Sequence, residues 1–355
     1  MSMIETFAGS GLAGENEVLA KRPYIATNGR HKGQPVIAVN TGQMDAKGNP
    51  VYAERIVANA TLRKDEWINL EDSVIEAFHE RLVVVGDLQS AGLTYNVGGL
   101  GTITSEWEAA SEMTDATITM DGETKVDKDR QEFDLQRVPV PLIHKDFQIG
   151  ERMLLASRTR GSSLDVTQGA EAARSVARVS EDMVFNGAQI GGSDGGTIPG
   201  LTTFSARETF TISDWADADT VDPEAIFGEI LEMIAKMETE QRRYGPFTIY
   251  IPGAYASRFR EDFKEFSDRT LMERVLAQTE IAAVRVADKL ATGNVVMVQM
   301  DRSVIDLAIA SDVTTVNWTS GSGMTNHFKV YAAWVPRLKT DFDGRCGIMH
   351  ATTGS

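Results

Sequence analysis

An α+β fold is predicted for this chain from three observations. Segments with apolar residues at helical spacing recur between short runs of alternating β-branched residues. The two kinds of segment are mixed along the chain, most clearly over residues 188–324. The 355 residues, 42% hydrophobic and 24% charged, suffice for a sizeable core and two folding units.

The first 61 residues differ from the rest. PVIAVNTG (35–42) and PVYAERIVA (50–58) flank a turn-rich QMDAKGN and predict a hairpin. Too little apolar sequence surrounds it to build a core, so residues 1–61 read as an arm completed by some other surface.

Residues 62–86 predict a helix. Trp67, Leu70, Val74, Ile75, Phe78 and Leu82 fall near helical spacing, Asp65 and Glu66 suit the N-terminal end of the dipole, and Gly86 is placed to end it. GLTYNVGGLGT (92–102) then raises the question of a phosphate loop. It lacks the Lys and hydroxyl of a P-loop, and position 104 is Thr where a dinucleotide fingerprint needs Gly. The stretch therefore reads as backbone that bends and packs closely.

ATITM (116–120) and EFDLQRVPV (132–140) alternate, and predict two strands joined by DGETKVDKDRQ. From Asp121 to Asp134 nearly every second residue is charged, so the tip belongs in solvent or on a polar neighbour. Residues 163–187 predict a long helix with Val166, Ala170, Ala173, Ala177 and Val184 in one stripe. Ala172, Val176, Val179 and Met183 widen it, and Asn186-Gly187 ends it. Glu181 and Asp182 are expected on its polar face, each within reach of Arg178.

Further on, residues 223–245 predict a helix opened by Pro223, FTIYIP (247–252) a buried strand, and AYASRFREDFKEF and DRTLMERVLAQ two shorter helices around a charged link. NVVMVQM (294–300) and VIDLAIASDVTTVNW (304–318) predict strands, and HFKVYAAWVPRLKTDFDGRCGIMHA returns as strands broken at Pro336.

Catalytic and metal chemistry finds no motif. The five histidines lie more than five residues apart, so there is no HExxH, and one cysteine makes no zinc clip. Cys346 reads as a small core hydrophobe, His144 as a surface residue and Met233 and Met237 as core. The expectation is no enzyme, no cofactor and no metal. A net charge of -16 argues against gripping nucleic acid through the average surface. No basic region precedes an apolar run at the N-terminus, and no apolar stretch approaches a membrane span.

The order of these pieces resembles the HK97-like major capsid proteins of tailed double-stranded DNA phages and the related encapsulin shell proteins. The match rests on LRKDEWINLEDSVIEAFHERLVVVGDLQSAGLTYNVGGLGT (62–102), SEMTDATITMDG (111–122) and EAARSVARVSEDMVFNG (171–187) with IPGL (198–201). IYIPGAYASRF (249–259) and VIDLAIASDVTTVNW (304–318) extend it, so it runs from residue 62 to 351.

The resemblance implies an HK97-like fold divided as N-terminal arm (1–61), first helix and peripheral segment (62–102), extended loop (103–136), peripheral domain with a long spine helix (137–187), axial domain (188–324) and returning peripheral strands (325–355). It implies self-assembly into pentamers and hexamers of an icosahedral shell around phage DNA, built in the host cytoplasm and carried in the virion. The alternative is an encapsulin compartment around a cargo enzyme.

Implied partners are further copies of the chain, a portal protein at one vertex, a separate scaffolding protein or none, and packaged DNA bound without sequence specificity, with a decoration protein left open; a fused scaffold and a membrane are not expected. Inter-subunit contacts are expected from the loop tip, Asp121, Glu123, Lys125, Asp127, Lys128, Asp129 and Arg130, and from a second charged turn, Arg260, Asp262, Lys264, Asp268 and Arg269. Lys125 and Lys128 occupy the loop from which some relatives cross-link a lysine, but companion residues are not evident, and cross-linking is not expected.

Overall fold

The computed structural model describes residues 24–25, 35–44, 50–56, 64–79, 82–111, 113, 116, 118, 120, 130–160, 167–191, 196–264, 269–319 and 324–354. They fall into two compact units, one of residues 1–78, 144–174 and 314–330, the other of residues 79–143, 175–313 and 331–355.

In the first unit, β1 (Tyr24–Ile25), β2 (Pro35–Met44) and β3 (Pro50–Ile56) form an antiparallel sheet in that order. The predicted hairpin is its second half, with Val36 opposite Ile56 and Met44 opposite Pro50. Helix α1 (Lys64–His79) buries Leu70, Val74, Ala77 and Phe78, whereas Ile68 and Ile75 face solvent. The inward stripe is therefore narrower than the sequence predicts, and Ile75 lies outside it. Close approach is secured at Gly169, where an added Cβ would stand 2.6 Å from Cδ1 of Leu70. Strand β7 (Ile143–Gly150) supplies Phe147, which stacks on Phe328 with ring centroids 5.0 Å apart. Helix α3 (Glu151–Arg160) follows directly; the sequence does not predict it, because ERMLLASRTR has little apolar periodicity. It starts where the Glu151 N–H donates to the Met324 carbonyl and Asn326 donates to the Glu151 carboxylate, each at 2.9 Å.

The second unit opens with α2 (Val84–Ser90). The single helix predicted over 62–86 is thus two helices among the described residues, and Gly86 lies inside the second rather than ending the first. After α2, β4 (Thr94–Asn96) pairs in parallel with residues 307–309. The glycine-rich stretch turns here. Gly98 and Gly99 hold φ of 90° and 106°, values L side chains avoid, and the Asn96 Oδ1 accepts the Gly98 N–H at 2.9 Å. No heavy atom lies within 4 Å of a Cβ built at either residue, so the loop requires left-handed backbone and not the close packing expected from sequence.

Strands β5 (Thr104–Ala110) and β6 (Phe133–Pro139) form a two-stranded antiparallel ribbon, in register from Thr104 opposite Pro139 to Ala110 opposite Phe133. The strand predicted at 116–120 is not formed at its described residues, Ala116, Ile118 and Met120; β6 pairs with the earlier segment instead. Helix α4 (Thr167–Asn186) ends as predicted, with Gly187 at φ 77° and its N–H bonded to the Met183 carbonyl. Val179, expected in its inward stripe, is exposed.

Short β8 (Ala188–Gln189) and β9 (Thr197–Ile198) precede the main sheet. That sheet has the order β10-β16-β13-β11-β12, from β10 (Glu208–Ile212), β11 (Phe247–Ile251), β12 (Ile281–Val286), β13 (Asn294–Gln299) and β16 (Ile348–Thr353). Its outer pairs are parallel and its inner pairs antiparallel. Every residue of β11 is buried. Helix α5 (Pro223–Thr239) opens at Pro223 as predicted and packs Ile226, Phe227, Ile230, Met233, Ile234 and Met237 into the core. Each such side chain, fully buried, contributes about 1.5–3 kcal/mol.

AYASRFREDFKEF is not a helix in its described part but two single 3-10 turns, Gly253–Tyr255 and Arg258–Arg260. The reason is the buried Arg258. Its guanidinium donates to the carbonyls of Trp215 (3.2 Å) and Val221 and pairs with Glu261, which pins the chain against the loop after β10. Helix α6 (Leu271–Leu276), capped by Thr270, is the second of the predicted short helices.

The longest strands, β14 (Ile305–Thr319) and β15 (Thr325–Leu338), belong to a four-stranded sheet ordered β4-β14-β15-β7. Among the described residues no helix is long and apolar enough to cross a membrane.

Candidate assembly surfaces

The β5–β6 ribbon has two unlike faces. Alternation at period two puts Ser105, Trp107, Gln136 and Val138 on one face, with Ser105 and Val138 buried. Glu106, Glu108, Phe133, Leu135 and Arg137 lie on the other, and all five are exposed. Phe133 is 62% and Leu135 58% accessible. An outward face with two large apolar side chains between charges is the composition of a contact surface rather than of a solvated edge.

The base of the ribbon is held by an ion cluster. The Arg337 Nε and Nη2 each donate to Asp306 carboxylate oxygens at 2.6 Å, and Lys339 reaches the same carboxylate at 2.6 Å. Asp306 and Arg337 are buried. The Arg337 guanidinium also lies over the Tyr95 ring at 4.1 Å and near the Trp107 ring at 5.7 Å. It thereby ties β15 to β14 and to the inner face of β5. Sequence reasoning missed this cluster, although a charged residue inside each apolar strand, IDLAIA and VPRL, was a signal for it.

Of the residues singled out at the loop tip, Asp121, Glu123, Lys125, Asp127, Lys128 and Asp129 lie outside the described residues, while Arg130 is exposed just before β6. In the second charged turn, Arg260, Asp262, Lys264 and Arg269 are exposed, and Asp268 lies outside the described residues. The described residues on its two sides are held together: Asp262 bridges Thr270, the Phe263 N–H donates to the Arg269 carbonyl at 2.9 Å, and Lys264 pairs with Glu224 at 2.8 Å.

Glu181 differs most from the sequence reading. It is 3% accessible, not on the polar face of α4, and its partners are not Arg178 but backbone amides. Oε1 accepts from Val83 N–H at 2.7 Å and Val85 N–H at 3.1 Å; Oε2 accepts from Val84 N–H at 3.2 Å. The carboxylate supplies acceptors to otherwise orphaned donors at the start of α2. Burial pushes its pKa up to about 7 against the opposing pull of those three hydrogen bonds, and the Asp87 charge adds to the rise. The signal was spacing: residue 181 is four after Ala177 and three before Val184, inside the apolar stripe.

Other polar groups are structural. Cys346 is buried, as expected, and desolvation raises its thiol pKa. His350 Nδ1 accepts from Arg207 Nε at 3.3 Å, so the neutral ring carries its proton on Nε2 and donates to Asn294 Oδ1 at 2.9 Å; burial and the Arg207 charge lower its pKa to about 4. His144 is exposed beside Asp146, while Met233 and Met237 are core. Among the described residues no group of three or more His, Cys, Asp or Glu is placed to hold a metal ion.

With this geometry in place, the chain can be set beside known proteins. It belongs to a family described as of unknown function (DUF6260), whose profile matches residues 57–351. Among curated proteins it is 26% identical over 286 residues to the type 1 encapsulin shell protein EncA of Myxococcus xanthus, covering 79% of this chain and 92% of the relative. It is 27% identical over 294 residues to a diheme-cytochrome-encapsulin shell fusion protein of Kuenenia stuttgartiensis, covering 80% and 73%. Both are named as shell proteins.

Among solved structures, a virus-like particle from Pyrococcus furiosus aligns with TM-score 0.57 at 16% identity, covering 80% of this chain and 98% of that one. The capsid of Myoviridae phage XM1 aligns with TM-score 0.56 at 14% identity, covering 75% and 91%. At such identities the likeness is one of fold, and the fold is the HK97-like one expected from sequence.

Proposed function

We propose that this DUF6260 protein is a structural, non-enzymatic shell subunit that self-assembles into pentamers and hexamers of a closed icosahedral container. The outward apolar face of the β5–β6 ribbon, on an HK97-like fold, carries the reading. A monomer leaves Phe133 and Leu135 wet, and a neighbouring copy covers them. Heterologous contacts of this kind close into rings. The charged tip, from Asp121 to Arg130, and the turn from Arg260 to Arg269 set register between copies, adding specificity more than affinity. Residues 1–61 act as an arm laid on adjoining subunits, so that many modest contacts work at high effective concentration.

The content we assign is phage genomic DNA, with a portal at one vertex and separate scaffolding or decoration proteins. Support comes from the 61 residues ahead of the resembling region and from the phage capsids among the structural neighbours. The net charge of -16 suits DNA forced in by a motor and held without tight wall binding. An encapsulin-type compartment is the second reading, favoured by the names of both curated relatives.

Electron microscopy of the purified chain, with nuclease digestion of particles from its native source, tests this. Uniform closed shells support the assembly role, and nuclease-protected double-stranded DNA supports the phage content. A co-purifying enzyme inside DNA-free shells selects the compartment. A compact monomer or small oligomer under all conditions overturns both.

A further inference from the structure

We infer that helix α3 of a neighbouring copy is the seat for the outward face of the β5–β6 ribbon, with Glu108 of one copy meeting Arg152 of the next. This rests on the shell reading above, and it names the surface that covers Phe133 and Leu135.

The ribbon supplies one half of the match. On its outward face Glu106 stands opposite Arg137, Glu108 opposite Leu135 and Ala110 opposite Phe133. Two glutamates against one arginine leave this face one negative charge in surplus. The outer glutamate, Glu108, lies beside both exposed apolar side chains.

Helix α3 supplies the other half. Leu154 is its buried contact, at 1% accessible. At about 100° per residue, Leu155, Arg152, Ala156 and Met153 follow one another around the arc opposite Leu154. All four are exposed, Met153 at 60% and Leu155 at 51%. Glu151, the one acid of the helix, is engaged by Asn326, whereas the sequence of α3 holds three arginines. Arg152 is thus a cation set between two large apolar side chains, as Glu108 is an anion set beside two. In a chain of net charge -16, a basic helix with outward methionine and leucine is the complement of that ribbon face.

Charge also decides which surfaces meet. Two ribbons face to face would set surplus acid against acid, and two α3 helices would set arginine against arginine. Ribbon on helix brings opposite charges and apolar groups together, and like-charge pairing suppresses the self-matched arrangements. The contact is therefore heterologous, the kind that propagates from copy to copy and closes into rings. Three side chains a side make a patch far below the roughly 1,600 Å² of a standard stable interface. It is weak between two free subunits and gains strength from the many linked contacts of an assembly.

Cysteine cross-linking of full-length chains tests the seat. Cys346 is buried and stays silent. One chain carries Leu135→Cys, another Met153→Cys, and the two are mixed before assembly and oxidised by air with a copper catalyst. A disulfide-linked dimer is expected from the mixture and from neither chain alone. Dimers from Leu135→Cys by itself, or none from the mixture, overturn the seat. Charge exchange gives a second measurement on exposed residues. Glu108→Arg and Arg152→Glu should each raise the concentration needed for particles by about tenfold, and the double variant should restore it. Single variants that assemble like the wild type, or a double variant that is not rescued, overturn the pairing while wild-type particles leave the shell reading standing. A wild-type chain that forms no particles overturns the shell reading and the seat with it.

Discussion

The sheet β10-β16-β13-β11-β12 and the ribbon β5–β6 are both built of short strands, yet they end in opposite environments. In β11 all five residues are buried, with α5 supplying a cover from the same chain. In β6 one residue of seven is buried, and the ribbon's outward face has no cover among the described residues. The first region is energetically complete within one polypeptide. The second retains apolar area to be buried, and in the proposed shell another copy buries it. Substitutions should accordingly reduce stability in the sheet and at the buried ion cluster of β14 and β15, and assembly on the outward face of the ribbon.

The largest effect is expected at Asp306. Asp306→Ala leaves Arg337 and Lys339 without their carboxylate, at a cost of about 3–5 kcal/mol in chemical denaturation. Replacing Asp306 and Arg337 together by apolar residues of similar volume should recover much of that loss. If the double variant is as unstable as the single one, the uncompensated charge is not the cause.

A smaller effect is expected at His350 in the main sheet. The neutral ring is required in the folded state, so stability falls as the pH drops from about 6.5 toward 4, by about 1–2 kcal/mol after allowing for screening. His350→Gln should remove most of this acid-side slope, measured as the denaturation midpoint against pH.

The smallest effect on stability is expected in the ribbon. Phe133→Ser combined with Leu135→Ser removes apolar groups that the subunit leaves in water, and changes its unfolding free energy by no more than about 0.5 kcal/mol. A loss comparable to that at Asp306 would show that this face is already packed within the chain.

The same contrast explains what the sequence disclosed. Strong period and clear punctuation gave α4 its end at Asn186-Gly187, α5 its start at Pro223, and β11, β13 and β14 their spans to within a residue or two. These elements are decided locally. The errors lie where distant residues decide. The amides at the start of α2 are met by Glu181, about a hundred residues away, and a local reading that makes Gly86 the stop has no access to that contact. The turns at Gly253–Tyr255 and Arg258–Arg260 replace a helix because Arg258 bonds the carbonyls of Trp215 and Val221. The ribbon's partner strand differs from expectation because Ala116–Met120 and Thr104–Ala110 both alternate, and register is set only by pairing. For the site, exposed charge was legible at Arg130, Arg260, Asp262, Lys264 and Arg269. The buried ionic groups Glu181, Asp306 and Arg337 were signalled only by a charge set inside an apolar stripe or strand, and which partners they bond is decided by distant residues.

Sedimentation of the full chain beside its Phe133→Ser/Leu135→Ser variant tests most directly whether the ribbon is completed by another copy. Megadalton particles are expected for the wild type, and subunits or small oligomers for the variant with an unchanged denaturation midpoint. Particles of equal size and yield from both chains would contradict that role for the ribbon.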